Sequence, residues 1–183
     1  MRKMTTMVYS FNELSEAAQE LALNAFRDIN VEYDWWTYGA YDTIRTAGNL
    51  LGLDIDRIHF DAYLYCIFDA NYEYARGAVK AVKAEFPYAT DLHEVARKLQ
   101  ALQRRHFYSL SCAVTEGRTT NRYSCFRFGE DYDCEDLGDI IDDFAHWARI
   151  LLCDEYEWLT SDEAVKEIII INEYEFTEYG ELA

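Results

Sequence analysis

The spacing of apolar positions changes period several times along the chain, and each change marks an element. "MTTMVYSF" is rich in β-formers and predicts a first strand. Ser15 then stands as an N-cap before "EAAQELALNAFRDI", where Ala18, Leu21, Ala22, Ala25 and Phe26 share one helical face. A second helix is expected to open at Asp34, with Trp35, Tyr38, Tyr41 (or Asp42) and Ile44 at helical spacing and Gly52 as its C-cap. In "IDRIHFDAYLYCIFDANYEYA" the residues Ile58, Phe60, Ala62, Leu64, Cys66 and Phe68 alternate with polar neighbours, so this stretch is a strand or a pair of strands. "GAVKAVKAEF" makes a short helix that stops at Pro87, the chain's one proline.

Thr90 is placed to cap "DLHEVARKLQALQRR", an amphipathic helix with Leu92, Val95, Ala96, Leu99 and Leu102 inward. "HFYSLSCAVTEGRTTNRYSCFRFG" predicts a β-hairpin turning around Glu116–Asn121. A long helix follows from about Glu135 to Tyr156, its stripe built from Leu137, Ile140, Ile141, Phe144, Trp147, Ala148, Leu151 and Leu152. "TSDEAVKEIIIIN" predicts a further helix capped at Thr160, with Glu163 completing a capping box, and "EYEFTEYG" a last short strand. The sum is an α+β fold: an antiparallel sheet of about four or five strands with about five or six helices. The 183 residues suit one domain, 1–183, with an acidic helical C-terminal third, 129–183.

Composition adds that half the residues are hydrophobic, enough for a packed core. No run of about 18 apolar residues predicts a membrane span, and the start lacks the apolar stretch of roughly 7–15 residues that marks a signal peptide. The five cysteines include no C-x-x-C pair, and Cys66, Cys112 and Cys125 sit in strand-like runs. They are expected to be reduced, buried thiols of a cytoplasmic protein. Charge changes the picture most. Residues 1–128 hold 16 acidic and 15 basic residues, whereas residues 129–183 hold 18 acidic residues against Arg149 and Lys166. An asymmetry of this kind bears on partners rather than on fold.

The segments "FNELSEAAQELALNAFRDINVEYDWW", "LLGLDIDRIHF", "YARGAVKAVKAEF", "LHEVARKLQALQRRHFYSLS" and "EYEWLTSDEAVKEIIIINEYEFTE" together resemble a family of small acidic proteins of bacteriophages and prophages. Its members often carry the label "antitoxin of toxin–antitoxin stability system". The chain departs from that pattern between Phe60 and Cys66, where "DAYLY" replaces a longer Gly/Ser/Gln-rich loop. The resemblance implies a phage origin, a bacterial host cytoplasm and an accessory role, and it brings no catalytic residues with it.

The candidate chemistry narrows accordingly. Asp131, Asp133 and Glu135 alternate like the start of a calcium loop, but Asp136 stands where the sharp turn needs glycine and Asp142 where a bidentate glutamate belongs. No metal is therefore expected, and a metal-dependent enzyme using this loop is only an alternative. His59, His93, His106 and His146 fall in no catalytic frame, and Gly77, Gly117 and Gly129 are isolated, so neither an enzyme nor a nucleotide cofactor is expected. Arg97, Lys98, Arg104 and Arg105 form a basic patch, continued by Arg118, Arg122 and Arg127 with Phe107, Tyr108 and Tyr123 interleaved. Such a patch either contacts a phosphate backbone or pairs with the protein's own acidic third, within one chain or across a homodimer.

The acidic residues themselves carry the favoured reading. Asp131, Asp133, Glu135, Asp136, Asp139, Asp142 and Asp143, with Asp154, Glu155 and Glu157 as a second group, are spaced to imitate phosphates. They would occupy the groove of a basic host protein: a defence nuclease, a guide complex or a toxin. On this reading the protein is a non-enzymatic inhibitor of a nucleic-acid-binding or anti-phage defence protein, and the alternative is an antitoxin-like protein that neutralises a toxin.

Overall fold

The computed structural model describes residues 7–61, 65–116, 123–127 and 134–183. In chain order its elements are β1 (Tyr9–Ser10), α1 (Glu16–Ala25), α2 (Thr37–Leu51), β2 (Leu53–Asp61), β3 (Tyr65–Tyr72), α3 (Ala78–Glu85), α4 (Thr90–Arg105), β4 (Cys112–Glu116), β5 (Tyr123–Arg127), α5 (Glu135–Leu159), α6 (Asp162–Ile171) and β6 (Glu175–Phe176). This is the α+β fold read from the sequence, with a four-stranded antiparallel sheet and a separate two-stranded one. One domain was expected over the whole length. The backbone divides into two compact units: a central one, Thr37–Cys153, and a terminal one made of the first 36 residues and Asp154–Ala183.

In the central unit the strands lie in the order β2-β3-β4-β5, every neighbour antiparallel, with α3 and α4 inserted between β3 and β4. Leu53, Ile55, Ile58, Cys66, Phe68, Ala70, Tyr72, Val114 and Cys125 are buried. Asp54, Asp56, Arg57, His59 and Asn71 are exposed. The pairing register of β2 with β3 shifts between Ile55 and Arg57, leaving Asp56 as an extra residue. That bulge lets an odd position, Ile55, and an even one, Ile58, both point inward. Phe68 stacks on Tyr123 at 4.8 Å between ring centroids and meets Phe144 of α5 edge-on at 5.5 Å. Gly138 of α5 sits so close to β5 that an added Cβ would lie 2.6 Å from the Tyr123 carbonyl oxygen.

α2 ends at Gly52, whose φ of +87° is the left-handed conformation that terminates helices, as expected from the sequence. The apolar phase of α2 differs from the expected one: Ile44, Ala47, Gly48 and Leu51 are buried, while Trp35 and Tyr38 are exposed. A 3-10 turn over Asp34–Trp36 precedes the helix, so Trp35 lies outside α2, and Tyr38 stands six residues from Ile44, off its helical face. α4 buries all five expected residues and also Gln103, which is fully buried. Thr90 is its first helical residue, after Ala89, rather than a cap with a side-chain hydrogen bond.

The segment after α4, read as strand from the sequence, leaves extended conformation at Phe107 (φ 51°) and Tyr108 (φ 61°). Gln103 explains why. Its Nε2 donates to the Leu110 carbonyl (2.7 Å) and the Tyr72 hydroxyl (3.2 Å), while its Oε1 accepts from the Leu110 N–H (3.2 Å). The loop is thereby folded back onto the helix end, and β4 begins only at Cys112.

The terminal unit opens on two caps. The Ser10 N–H and hydroxyl both donate to Glu13 Oε2 at 2.8 Å, and Ser15 Oγ accepts from the Ala18 N–H. Phe11, Leu14, Ala18, Ala22, Val165, Ile169 and Phe176 form its core. Leu21, expected inward, is 59% exposed, because the face of α1 turned to this core is narrow and follows Ala18 and Ala22. Ser161, not Thr160, caps α6; the Thr160 hydroxyl is turned the other way and donates to the Tyr156 carbonyl at 2.9 Å. At the far end of α6 the Glu173 N–H donates to Ile170 O (3.1 Å) and the Tyr174 N–H to Ile169 O (3.2 Å). This is a Schellman motif with glutamate, φ +52°, where glycine is usual.

Candidate functional site

The first acidic group belongs to the central unit. Asp131 and Asp133 lie outside the described residues, as do Arg118 and Arg122. Glu135 and Asp136 occupy the first turn of α5, where carboxylates are favoured by the helix dipole. Asp136, Asp142 and Asp143 are among the members engaged by the protein itself. Asp136 pairs with Arg105 at 3.0 Å and Asp143 with Lys98 at 2.7 Å. Asp142 Oδ1 accepts the Tyr123 N–H at 3.1 Å. The hydrogen bond to Asp143 raises the Lys98 pKa, and the nearby Glu94 and Asp139 charges add to that. Arg97 pairs with Glu94.

Three of the four basic-patch residues are thus held by the protein's own carboxylates, and Arg104 is exposed. Exposed pairs of this kind contribute about 0.2–1 kcal/mol each, so they organise the surface more than they stabilise it. They also lower the anionic field that the first group presents.

The second group belongs to the terminal unit. Asp154, Glu155 and Glu157, on the last turns of α5, are all exposed. The unit around them holds 16 acidic and 4 basic residues, against 18 and 13 in the central unit, so its 66 residues carry net −12 of the chain's −17. Of its described cations, Arg27 is bound to Asp162 and to the Thr160 carbonyl, and Lys166 holds its Nζ 5.7 Å from the Phe11 ring centroid. Glu16 and Glu20 on α1 and Glu163 and Glu167 on α6 are exposed like-charge pairs at i,i+4, each costing a few tenths of a kcal/mol. Sequence reasoning joined the two acidic groups into one surface; the units divide them, with the carboxylates that pair with α4 and β5 in the central one and most of the net charge in the terminal one.

His93 Nε2 lies 2.7 Å from the Phe86 carbonyl oxygen and ties α4 to the loop before it. The cysteines are free thiols, four buried and Cys153 half-buried with its Sγ 3.8 Å from Arg149 Nη1. Burial, with a smaller contribution from Cys153, pushes the Cys66 thiol up to about 12. Among the described residues no group of three His, Cys, Asp or Glu is placed to hold a metal ion, and no helix is long and apolar enough to cross a membrane. Two features escaped sequence reasoning: the Gln103 clamp, whose signal was a polar residue next to the apolar stripe of α4, and Glu173, whose signal was a helix ending in "IIIINEYEF" without glycine.

A family model described as a domain of unknown function, DUF8835, matches residues 35–162. That span contains the whole central unit, the two residues before it and the chain after it as far as Asp162. No curated protein and no solved structure matches the chain. With more than two thirds of its length covered, the chain belongs to the DUF8835 family.

Proposed function

We propose that this protein is a non-enzymatic binding protein whose acidic surface occupies the nucleic-acid groove of a basic partner. The phage resemblance suggests a host defence nuclease or its guide complex as the partner class. One observation carries the reading: Asp154, Glu155 and Glu157 stand exposed in a unit with 16 acidic and 4 basic residues. A folded unit accepting that much self-repulsion gains from it when a cationic surface docks, because carboxylates along a helix present charge to a groove that receives phosphates. The paired carboxylates of the first group, Asp136 and Asp143, have a secondary role, since a partner must first displace Arg105 and Lys98.

The test is a triple charge reversal, Asp154→Lys, Glu155→Lys and Glu157→Lys. The wild-type chain is used to capture partners from bacterial lysate at low salt, and each identified partner is assayed for release of its bound nucleic acid. The wild type should displace nucleic acid and lose that ability as salt rises, while the folded triple variant should not displace it. Undiminished displacement by the variant would refute the proposal.

A further inference from the structure

We propose that the cleft between Val8–Glu13 and the end of α6 with β6 is the docking site for a basic segment of a partner protein, seating one apolar side chain on its floor and flanking Lys or Arg side chains on its rim. The inference rests on the acidic-surface reading and gives that reading a place and a ligand chemistry.

The cleft has a volume of about 410 Å³, within the range of sites that receive a side chain or a small ligand. Its lining is mixed in polarity, with apolar side chains at its base: Phe11 and Ile169 are buried, Tyr9 and Tyr174 half-buried. Val8 and Ile170, 41% and 42% exposed, extend the apolar surface to its lip. The rim carries Glu13, Glu173 and Glu175, and among the described lining residues none is basic. Hydrogen bonds from the Ser10 backbone and hydroxyl lower the Glu13 pKa, which keeps that carboxylate charged. An apolar base inside an anionic rim complements a hydrophobic side chain with cationic neighbours, and repels a nucleic acid.

Glu173 sharpens the argument. Its backbone is left-handed at φ +52°, and its carboxylate sits at the negative end of the α6 dipole. Glycine would make the same two Schellman hydrogen bonds without either penalty. A carboxylate at this position gains when a cation approaches it.

The test titrates the full chain into a dye-labelled peptide with a central Leu flanked by two Arg on each side, read by fluorescence anisotropy. Two control peptides replace the Leu by Gly or every Arg by Glu. The Leu peptide should bind about tenfold tighter than the Gly peptide, the equivalent of burying one aliphatic side chain. The Glu peptide should not bind. Glu173→Gly should weaken binding several-fold without lowering the melting temperature, and Ile170→Lys should abolish it.

If both cleft variants bind like wild type while Asp154→Lys, Glu155→Lys, Glu157→Lys abolishes binding, the cleft inference is overturned and the acidic-surface reading stands. If no variant of either set alters binding, both fall. A concentration-dependent dimer of the free chain that Ile170→Lys dissolves would make the occupant a second copy, and would overturn the proposal.

Discussion

Replacing Gln103 by leucine removes a polar clamp while nearly keeping its volume. Gln103 is fully buried, as is Leu110, and the amide makes three hydrogen bonds, two of them to the Leu110 backbone. In the variant the Leu110 N–H and C=O lose their partners inside the protein. A buried group left unpaired costs about 1–3 kcal/mol, so two cost about 2–6 kcal/mol. Against this stands the apolar gain from leucine, about 1–2 kcal/mol; the backbone hydrogen bonds from the Phe107 and Tyr108 N–H groups to the Arg104 and Gln103 carbonyls do not involve the amide. The net expectation is a loss of about 2–4 kcal/mol, or a fall of roughly 5–12 °C in melting temperature for a chain of this size. Urea unfolding followed by tryptophan fluorescence measures the loss. Limited chymotrypsin digestion reports the loop directly, because Phe107 is 89% exposed and cleavage after it should accelerate. A loss below about 0.5 kcal/mol with unchanged cleavage would show that the amide does not hold the loop.

Three further outcomes follow from packing and ionisation. Gly138→Ala forces a Cβ within 2.6 Å of the Tyr123 carbonyl oxygen and should destabilise by about 1–3 kcal/mol, measured by thermal melting; an unchanged melt would mean that α5 and β5 part easily. Under native conditions a thiol reagent should label Cys153 fast and the four buried cysteines only on unfolding, so mass spectrometry should find one adduct, and two or more at early times would contradict the burial. The Tyr72 phenol is raised to about 12, chiefly by burial, so the unfolded chain ionises it near pH 10 while the folded chain does not. Stability should fall by about 1.4 kcal/mol per pH unit between about 10 and 12, seen in urea titrations with tyrosinate absorbance, and a flat profile there would be inconsistent with a buried phenol.

Elements ruled by their own periodicity were legible in the sequence. The five inward residues of α4, the hairpin β4–β5 and the start of α5 follow from local spacing and stand as expected. What was not legible depended on distant partners. "HFYSLS" is dense in β-formers, yet Gln103 reaches Leu110 and folds the segment back. Thr160 and Ser161 are both competent caps, and only the α5 carbonyl at Tyr156 decides which hydroxyl turns which way. The candidate site shows the same division. A charge count locates the acidic third, but it cannot say that Asp136 and Asp143 meet Arg105 and Lys98, or that residues 1–36 join Asp154–Ala183 in one acidic unit. Opposite charges in a sequence become pairs only when the fold brings them within reach.

The extra residue in β2 has a consequence for how the protein survives at high concentration. β2 lies at one end of the four-stranded sheet, with β3 as its one strand neighbour among the described residues. A straight, apolar border strand is a template for fibre growth. Here Asp54, Asp56, Arg57 and His59 are exposed along it, and the kink at Asp56 breaks the ladder that an incoming chain would have to follow. Removing Asp56 would straighten that border while Arg57, opposite Asp69, kept its outward place, trading a guarded edge for a sticky one.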